Sequence, residues 1–137
     1  MALNDDIAVV TGASRGIGQA IALELGARGA TVIGTATTDG GAEAISASLA
    51  EHNVRGTGKV LNVTDADSIA AFFKAVQEEY GNPSVLVNNA GITRDNLMMR
   101  MKDEEWDDVI STNLSSAFRM SKACLRGMMK ARHGRII

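Results

Sequence analysis

Three glycines join an apolar run to a helical stripe near the start of the chain, in the stretch TGASRGIG at residues 11–18. The run before them, Ile7–Val10, is almost entirely apolar, which is typical of a central strand covered on both faces. The apolar residues after them recur every four positions and predict one face of a helix ending at Gly29. These residues are Ile17, Ile21 and Leu25, with Ala20 beside them.

Short β-branched runs alternate with helical stripes along the rest of the chain. Further strands are predicted over residues 30–37, 58–63 and 84–91, and a fifth begins in HGRII at 133–137. Helices are predicted over the stripe 69–80, after a capping-box pattern from Thr64 to Asp67, and from about Asp103 to about Arg132. The alternation predicts an α/β fold, a Rossmann-type doubly wound parallel sheet that stops at the start of its fifth strand. We expect residues 1–137 to form one domain.

Composition narrows the class of protein. Lys and Arg number 14 against 16 Asp and Glu, a net charge of −2, so nothing favours nucleic acid or an anionic membrane as a partner. The single cysteine, Cys124, excludes an internal disulfide and fits a reducing compartment. The first ten residues have neither a basic region nor a long apolar stretch, so we expect a cytoplasmic protein. His52 and His133 lack companions at metal-ligand spacing, so no metal is expected.

The glycine turn predicts an anion-binding site. A loop between the end of a strand and the start of a helix collects free backbone N–H groups at the positive end of the helix dipole. Gly12 would allow the tight turn, Gly16 the approach of a phosphate, and Gly18 the packing of helix on sheet. The spacing G-x-x-x-G-x-G differs from the usual G-x-G-x-x-G fingerprint, and an ordinary glycine-rich turn is the alternative interpretation.

Arg15 and the end of the second strand indicate which dinucleotide would bind. NAD-binding domains tend to place an acidic residue there for the ribose 2′-hydroxyl. Here the stretch is GTATTDG, with threonines at 35, 37 and 38 and no acid before Asp39, which we expect to cap the next helix. An acid would repel a 2′-phosphate, whereas Arg15 with threonine hydroxyls would bind one. The sequence therefore predicts NADP(H).

Several motifs together resemble the short-chain dehydrogenase/reductase family: TGASRGIG at 11–18, NV at 62–63, NNAG at 88–91 and TN at 112–113. Longer stretches, such as NNAGITRDNLMMRMKDEEW and MMKARHGRII, resemble members that reduce a 3-oxoacyl chain on acyl carrier protein during fatty-acid elongation. The resemblance runs from the first strand to the last residue and implies an NADPH-dependent oxidoreductase. A short-chain reductase of another ketone and a nucleotide-binding fragment without catalysis remain alternatives.

The resemblance also implies roles for residues at the carboxyl ends of the strands, where open α/β sheets bind ligands. Thr37 would join Arg15 at the 2′-phosphate. Asn62 and Val63, ending the third strand, match positions beside the adenine. The positions at the phosphates are Gly12, Ser14, Arg15, Gly16, Ile17 and Gly18, and those under the ribose and nicotinamide are Asn89, Ala90 and Gly91.

Asn113 interrupts the apolar stripe of the long helix, which comprises Trp106, Ile110, Ala117, Ser121, Cys124 and Met128. A buried amide needs hydrogen-bond partners, so a satisfied core asparagine is one interpretation. The resemblance implies the other: a catalytic-tetrad asparagine that holds a water in a proton relay and locally distorts its helix.

The resemblance implies three more tetrad residues, a serine, a tyrosine and a lysine four positions after the tyrosine. The only tyrosine, Tyr80, is followed four positions later by Ser84. We therefore expect the 137 residues to be the N-terminal, cofactor-binding half of a reductase, inactive alone and prone to associate through exposed apolar surface. The complete protein is implied to be a homotetramer whose dimers pack through the long helix.

Two exposed features remain open to two interpretations each. The basic end of the long helix, KARHGR at 130–135, would compensate the helix dipole, or Arg132 would dock an acidic acyl carrier protein, as the resemblance suggests. The segment LMMRM at 97–101 would be an adaptable apolar wall near an acyl chain, or ordinary packing.

Overall fold

One parallel sheet forms the centre of the computed structural model, which describes residues 2–92 and 95–137. Its strands are β1 (Ile7–Val10), β2 (Thr31–Ala36), β3 (Gly56–Val60), β4 (Val85–Val87) and β5 (Arg135–Ile136). They lie in the order β3-β2-β1-β4-β5, so the winding reverses between β1 and β4. The doubly wound Rossmann-type sheet predicted from the alternation is confirmed.

Helices cover both faces of this sheet. They are α1 (Gly16–Ala27), α2 (Asp39–Glu51), α3 (Ala66–Glu79), α4 (Asp103–Val109) and α5 (Ser116–Ala131), with a 3₁₀ turn at Met98–Arg100 and a π-helical turn at Ile110–Ser115 that joins α4 to α5. Within the described ranges, no helix combines the length and apolarity needed to cross a bilayer.

Alternate residues of each strand face opposite cores. In β1, Ala8 and Val10 pack with α1 and α2, whereas Val9 packs with α3 and α5. In β2, Val32 and Ile33 divide in the same way. Because both of their faces are buried, the central strands β1 and β4 are continuous apolar runs, and the predicted bounds of β1 are confirmed.

The buried face predicted for the first helix is right at Ile21 and Leu25, which pack against the core, and wrong at Ile17. Ile17 is 74% exposed, whereas Gly18 and Ala22 are buried. A Cβ at Gly18 would collide with the carbonyl of Gly12, so α1 lies too close to the preceding turn for a larger residue. Small residues therefore make the closest contacts of the inner face, and Ile21 and Leu25 pack beside them.

The stripe predicted for the long helix is right at Cys124 and Met128 and wrong at its amino-terminal part. Trp106 is 60% exposed and Asn113 is exposed as well. The buried positions of α5 are Ser116, Met120, Cys124 and Met128. The π-helical turn adds a residue to one turn of the helix, so the faces before and after it do not follow one 3.6-residue repeat. Burial raises the pKa of the Cys124 thiol to about 12, which keeps it protonated as a core residue.

Both predicted caps are displaced by one residue. Asp65, not Thr64, caps α3, because its carboxylate accepts from the backbone N–H of Asp67 at 2.9 Å. Thr38, not Asp39, caps α2, because its hydroxyl accepts from Gly41 N–H at 3.1 Å. In each case the capping oxygen belongs to the last residue before the helix.

The last residues of the chain hold the segment that follows β4. The N–H of Ile137 donates to Leu86 O at 2.8 Å, and the N–H of Asn88 donates to Ile137 O at 2.7 Å. The β4–β5 ladder therefore continues past the end of β4 and positions the first residue of the following loop.

The buried carboxylate of Asp6 links the segments before β1 and β4 to the segment after α5, at the amino end of the strands. The hydroxyl of Ser84 donates to Asp6 Oδ1 at 2.7 Å, and His133 Nε2 lies 2.8 Å from the same oxygen. The Ser84 hydrogen bond lowers the pKa of Asp6 below its ordinary value, burial opposes that shift, and His133 and Arg135 add to the lowering. His133 thus has a carboxylate partner that its sequence neighbours do not suggest.

Replacing this carboxylate should give a pH-dependent loss of stability. Because the folded-state pKa of Asp6 is lowered, its contribution is present above the unfolded-state pKa and is lost as pH falls through the folded one. Asp6→Asn should therefore reduce the free energy of unfolding by about 1–3 kcal/mol near neutral pH and by much less at about pH 3. Urea unfolding at both pH values measures this difference. Asp5→Asn, at an exposed neighbour, should change little at either pH; an equal effect of both variants would contradict the assignment.

Candidate functional site

A cavity of about 470 Å³ opens at the carboxyl end of the sheet, where the winding reverses between β1 and β4. Ligands of open α/β sheets bind at this position. The cavity is lined by Gly12, Ser14, Arg15, Gly16, Thr35, Ala36, Thr37, Leu61, Val63, Asn89, Ala90, Gly91 and Ile92. Residues from four separate segments therefore meet around one space.

Most residues predicted to bind a cofactor line this cavity, but Ile17, Gly18 and Asn62 do not. Ile17 is exposed on the first turn of α1, and Gly18 packs beneath the glycine turn. Asn62 lies beyond the end of β3, and its side-chain oxygen accepts from the N–H of Thr64 at 3.0 Å. Asn62 therefore stabilises the turn that precedes α3.

The three glycines of the turn differ in what they make possible. Gly12 and Gly16 have φ values of +62° and +60°, in the left-handed region that favours glycine. A Cβ at Gly16 would meet nothing within 4 Å, so the space next to it is open. A Cβ at Gly18 would lie 2.5 Å from the side-chain nitrogen of Asn89 as well as against the Gly12 carbonyl. The turn is thus open towards the cavity and tightly packed beneath it.

Thr11 joins the ends of β1 and β4, a role that the sequence patterns missed. Its buried hydroxyl accepts from the N–H of Asn89 at 3.0 Å and from that of Ala90 at 2.8 Å. The Asn89 amide in turn donates to Gly12 O at 3.1 Å. The glycine turn and the NNAG segment are therefore held as one unit.

Thr35 joins the glycine turn to β2 in a similar way. Its hydroxyl accepts from Gly12 N–H at 3.3 Å, and its carbonyl accepts from Ala13 N–H at 2.9 Å. Thr35 is 2% exposed, so its hydroxyl serves the fold. Of the three threonines near the end of β2, Thr38 caps α2, which leaves Thr37 as the exposed one at the cavity.

The amino terminus of α1 gives the cavity a positive potential. No described side chain caps this helix at Arg15, and its first turn holds no acidic residue, whereas Thr38 and Asp65 cap α2 and α3. Unsatisfied N–H groups of a first turn favour an anion. None of the residues that line the cavity is acidic, and Arg15 adds a full positive charge.

Asn113 holds the loop after β4 against the π-helical turn. Its Oδ1 accepts from Ile92 N–H and its Nδ2 donates to Ile92 O, both at 2.9 Å. Gly91 lies close beside it, because a Cβ there would be 3.0 Å from Asn113 Oδ1. The predicted distortion of the helix is confirmed, and the amide is satisfied although the residue is exposed. Both side-chain functions are occupied by Ile92, so in this structure Asn113 is a positioning residue.

The described part of the chain contains no group of three or more His, Cys, Asp or Glu side chains that could hold a metal ion. The ligand chemistry of the cavity therefore rests on backbone N–H groups, one guanidinium, hydroxyls and apolar side chains.

Comparison with known proteins agrees with a fold and cavity of the dehydrogenase type. Residues 6–137 match the short chain dehydrogenase family, and the chain belongs to that family. It is similar to three proteins named 3-oxoacyl-[acyl-carrier-protein] reductase FabG. Identity is 61% with that of Pseudomonas aeruginosa and 64% with that of Vibrio harveyi, each over 137 residues, the whole of this chain and 56% and 55% of those relatives. Identity is 64% with the protein of Escherichia coli over 131 residues, which are 96% of this chain and 52% of that relative. The chain thus spans about half the length of these relatives.

Removing the Asn113 amide should release the loop after β4. Asn113→Leu loses both hydrogen bonds to Ile92, and we expect the free energy of unfolding to fall by about 1–3 kcal/mol. Asp107→Asn, at an exposed position of α4, is the control and should change it by less than about 0.5 kcal/mol. Amide hydrogen exchange at Ile92 should become faster only in Asn113→Leu. Unchanged exchange at Ile92 in that variant would show that Asn113 does not hold the loop.

Proposed function

We propose that this chain is the cofactor-binding half of an NADPH-dependent oxidoreductase that reduces 3-oxoacyl chains carried on acyl carrier protein. Its membership of the short chain dehydrogenase family and its identity of about 60% with named 3-oxoacyl-[acyl-carrier-protein] reductases support the reaction class. The observation that carries the proposal is the cavity at the winding reversal, which Arg15 and Thr37 line without any acidic residue.

The cavity has the chemistry that a phosphorylated dinucleotide requires. The open turn at Gly16 and the first N–H groups of α1 would bind the pyrophosphate. Arg15 and Thr37 would bind the 2′-phosphate, since a guanidinium pairs well with phosphate oxygens. Leu61 and Val63, both largely buried, offer an apolar surface beside the adenine. NADPH, when bound, supplies the hydride for reduction.

The nicotinamide end of the cofactor would lie over Asn89, Ala90 and Gly91. This segment is held before any ligand arrives, because Thr11 binds two of its N–H groups and Asn113 fixes the next residue, Ile92. A site organised in advance loses less entropy on binding than one that must be ordered by its ligand.

The proton that completes reduction needs a donor outside these 137 residues. They contain no tyrosine followed four positions later by lysine. We propose that the serine, tyrosine and lysine implied by the family resemblance come from the half of the relatives' length that this chain does not span. By itself the chain would bind NADPH without turnover. Asn113 would be its contribution to the tetrad, as the residue that positions Ile92 and the loop after β4.

Arg132 is the residue we propose for docking acyl carrier protein. It ends α5 in the left-handed conformation with φ of +55°, and its side chain is exposed beside Lys130 and Arg135. A cluster of positive charge on an exposed surface accelerates encounter with an acidic partner. Compensation of the helix dipole would also explain a basic residue here, and the two roles make different predictions.

The outer face of α5 supports self-association of the complete protein as a tetramer. Four large apolar side chains are exposed along the π-helical turn and α5: Leu114, Phe118, Leu125 and Met129. Exposed apolar surface in a continuous stripe is typical of a protein interface. Packing of this stripe against its copy would cover it.

Exchange of the phosphate-binding pair tests the cofactor. In the double variant Arg15→Glu, Thr37→Asp, NADPH should bind at least about tenfold more weakly and NADH should bind no worse, because two carboxylates repel the 2′-phosphate. Quenching of tryptophan emission by the reduced cofactors measures both affinities. Arg126→Glu, an exposed charge reversal outside the cavity lining, is the control and should leave both unchanged. Equal affinities of the double variant and the parent for NADPH would show that Arg15 is not the phosphate ligand.

Charge reversal at Arg132 separates docking from dipole compensation. Arg132→Glu should weaken binding of acyl carrier protein by about tenfold, most strongly at low salt, as isothermal titration would measure. Arg28→Glu reverses the C-cap charge of α1 and should lower stability by a similar amount without changing carrier affinity. If Arg132→Glu lowers stability and leaves the affinity for acyl carrier protein unchanged, Arg132 only compensates the helix dipole.

A further inference from the structure

His133 lies where the chain leaves α5 and enters β5. The N–H of Arg132 donates to Met129 O at 3.2 Å. The N–H of His133 donates to Met128 O at 3.1 Å, and the two bonds together are typical of a helix end that turns the chain back. Arg135, two residues later, begins β5. A contact that fixes the ring of His133 therefore also fixes the place where β5 starts.

The ring of His133 binds a carboxylate from the other end of the chain. Its Nε2 lies 2.8 Å from Asp6 Oδ1, although the two residues are 127 positions apart. The lowered pKa of Asp6 keeps this carboxylate ionised near neutral pH, so it only accepts, and Nε2 is the donor of the hydrogen bond. Asp6 is 9% exposed, whereas the side chain of His133 is 56% exposed. The ring thus reaches inward to a nearly buried acceptor.

The acceptor is itself bound to the starts of β1 and β4. The hydroxyl of Ser84 donates to the same Asp6 oxygen at 2.7 Å and accepts from the N–H of Ile7, the first residue of β1, at 3.0 Å. The carbonyl of Ser84 accepts from the N–H of Arg135 at 2.9 Å. Asp6 and Ser84 therefore join the amino ends of three strands, and the ring of His133 attaches β5 to this junction.

Apolar packing contributes little to the position of β5. The strand comprises Arg135 and Ile136, lies at the edge of the described sheet, and is exposed at both residues. Ile137, which follows it, is 72% exposed. Segments with few buried apolar contacts and accessible backbone hydrogen bonds open locally at low cost. The register of β5 therefore depends on polar contacts, and the bond from His133 to Asp6 is one of them.

The far end of β5 holds the segment that follows β4. The N–H of Ile137 donates to Leu86 O at 2.8 Å, and the carbonyl of Ile137 accepts from the N–H of Asn88 at 2.7 Å. The next residue, Asn89, donates its N–H to the hydroxyl of Thr11 at 3.0 Å. The segment proposed for the nicotinamide is thus held from β1 on one side and from β5 on the other.

We propose that His133 is a positioning residue for the nicotinamide end of the cofactor: its hydrogen bond to Asp6 keeps β5 in register, and β5 holds Asn88 and the segment after it. The inference rests on the proposed function, which places the nicotinamide over residues 89–91. It extends that function with a contact at the amino end of the strands, opposite the cavity. His133 acts through the backbone of β5 and not by touching the cofactor.

Two ligands separate an effect on the nicotinamide end from a general loss of structure. NADPH would span the whole cavity, whereas adenosine 2′,5′-bisphosphate carries the adenine and the 2′-phosphate and would contact only the end at Arg15 and Thr37. His133→Ala should weaken NADPH binding about three- to tenfold, because a smaller fraction of the chain holds the segment in place. Affinity for the bisphosphate should stay unchanged, as isothermal titration would measure. Equal loss of both affinities, or undiminished NADPH affinity, would overturn the proposal.

A conservative variant and a matched control test the hydrogen bond itself. His133→Gln offers an amide donor at about the position of Nε2 and should restore most of the NADPH affinity. His52→Ala is the control, because His52 is also exposed at the carboxyl end of a helix, but its ring contacts Ser48 O of that same helix at 2.8 Å. It should leave both affinities unchanged. Failure of glutamine to restore binding, or an equal loss in His52→Ala, would contradict the assigned contact.

Amide hydrogen exchange follows the path of the effect along the backbone. In His133→Ala, exchange should become faster at Asn88 and stay unchanged at Ala13, whose N–H donates to Thr35 O at 2.9 Å in the glycine turn. In the Asp6→Asn background the same substitution should have a much smaller effect, because both variants weaken one contact. Unchanged exchange at Asn88 would show that β5 does not carry the effect.

The proposed function and the role of His133 fail by different results. If neither NADPH nor the bisphosphate binds the parent chain, the proposed function is wrong. If both bind with an affinity that depends on Arg15, and His133→Ala binds NADPH as tightly as the parent does, the proposed function stands and the positioning role is wrong.

Discussion

The hydroxyl of Thr11 is the contact on which the site depends. It sits one residue beyond β1 and accepts the N–H groups of Asn89 and Ala90, which follow β4, so it joins the two strands between which the winding reverses. Asn89 then reaches back to the carbonyl of Gly12. Because a buried hydroxyl of this kind has no alternative partner in water, the two segments are held at a fixed separation. The width of the cavity is thereby set by the protein and not by its ligand.

Much of the fold could be predicted from local patterns. The bounds of β1, the parallel order of the strands and the helix across Ile69 and Val76 all follow from side chains whose environment is uniform along an element. Buried strands need apolar residues on both faces, and an amphipathic helix repeats every 3.6 residues. Patterns of this kind are read without knowledge of distant contacts. The glycine turn belongs with them, because a positive φ at Gly12 and Gly16 is a local requirement.

What could not be predicted depends on backbones that meet across the fold. The inner face of α1 is set by the approach of Gly18 to the Gly12 carbonyl, and the register of α5 by an extra residue in the π-helical turn. Neither the close approach nor the π-helical turn can be predicted from the hydropathy pattern of the sequence. The sequence indicated Thr35 as one of the threonines that could bind a phosphate. Its hydroxyl instead accepts a hydrogen bond from Gly12 N–H, a partner distant in sequence. The structure brings most of the predicted cofactor-binding residues together around one cavity, and the group that each of them binds stays a prediction.

The bond from Asn88 N–H to the carbonyl of Ile137 has a consequence for how the protein is made. The loop that follows β4 is anchored on one side by β1, which is synthesised first, and on the other by β5, which is synthesised more than a hundred residues later. Strands β1 to β4 have all been synthesised by residue 87. The cavity, however, acquires its final shape only when residues 135–137 have emerged. A nascent chain would therefore contain the four strands around the cavity well before the loop after β4 is anchored on both sides.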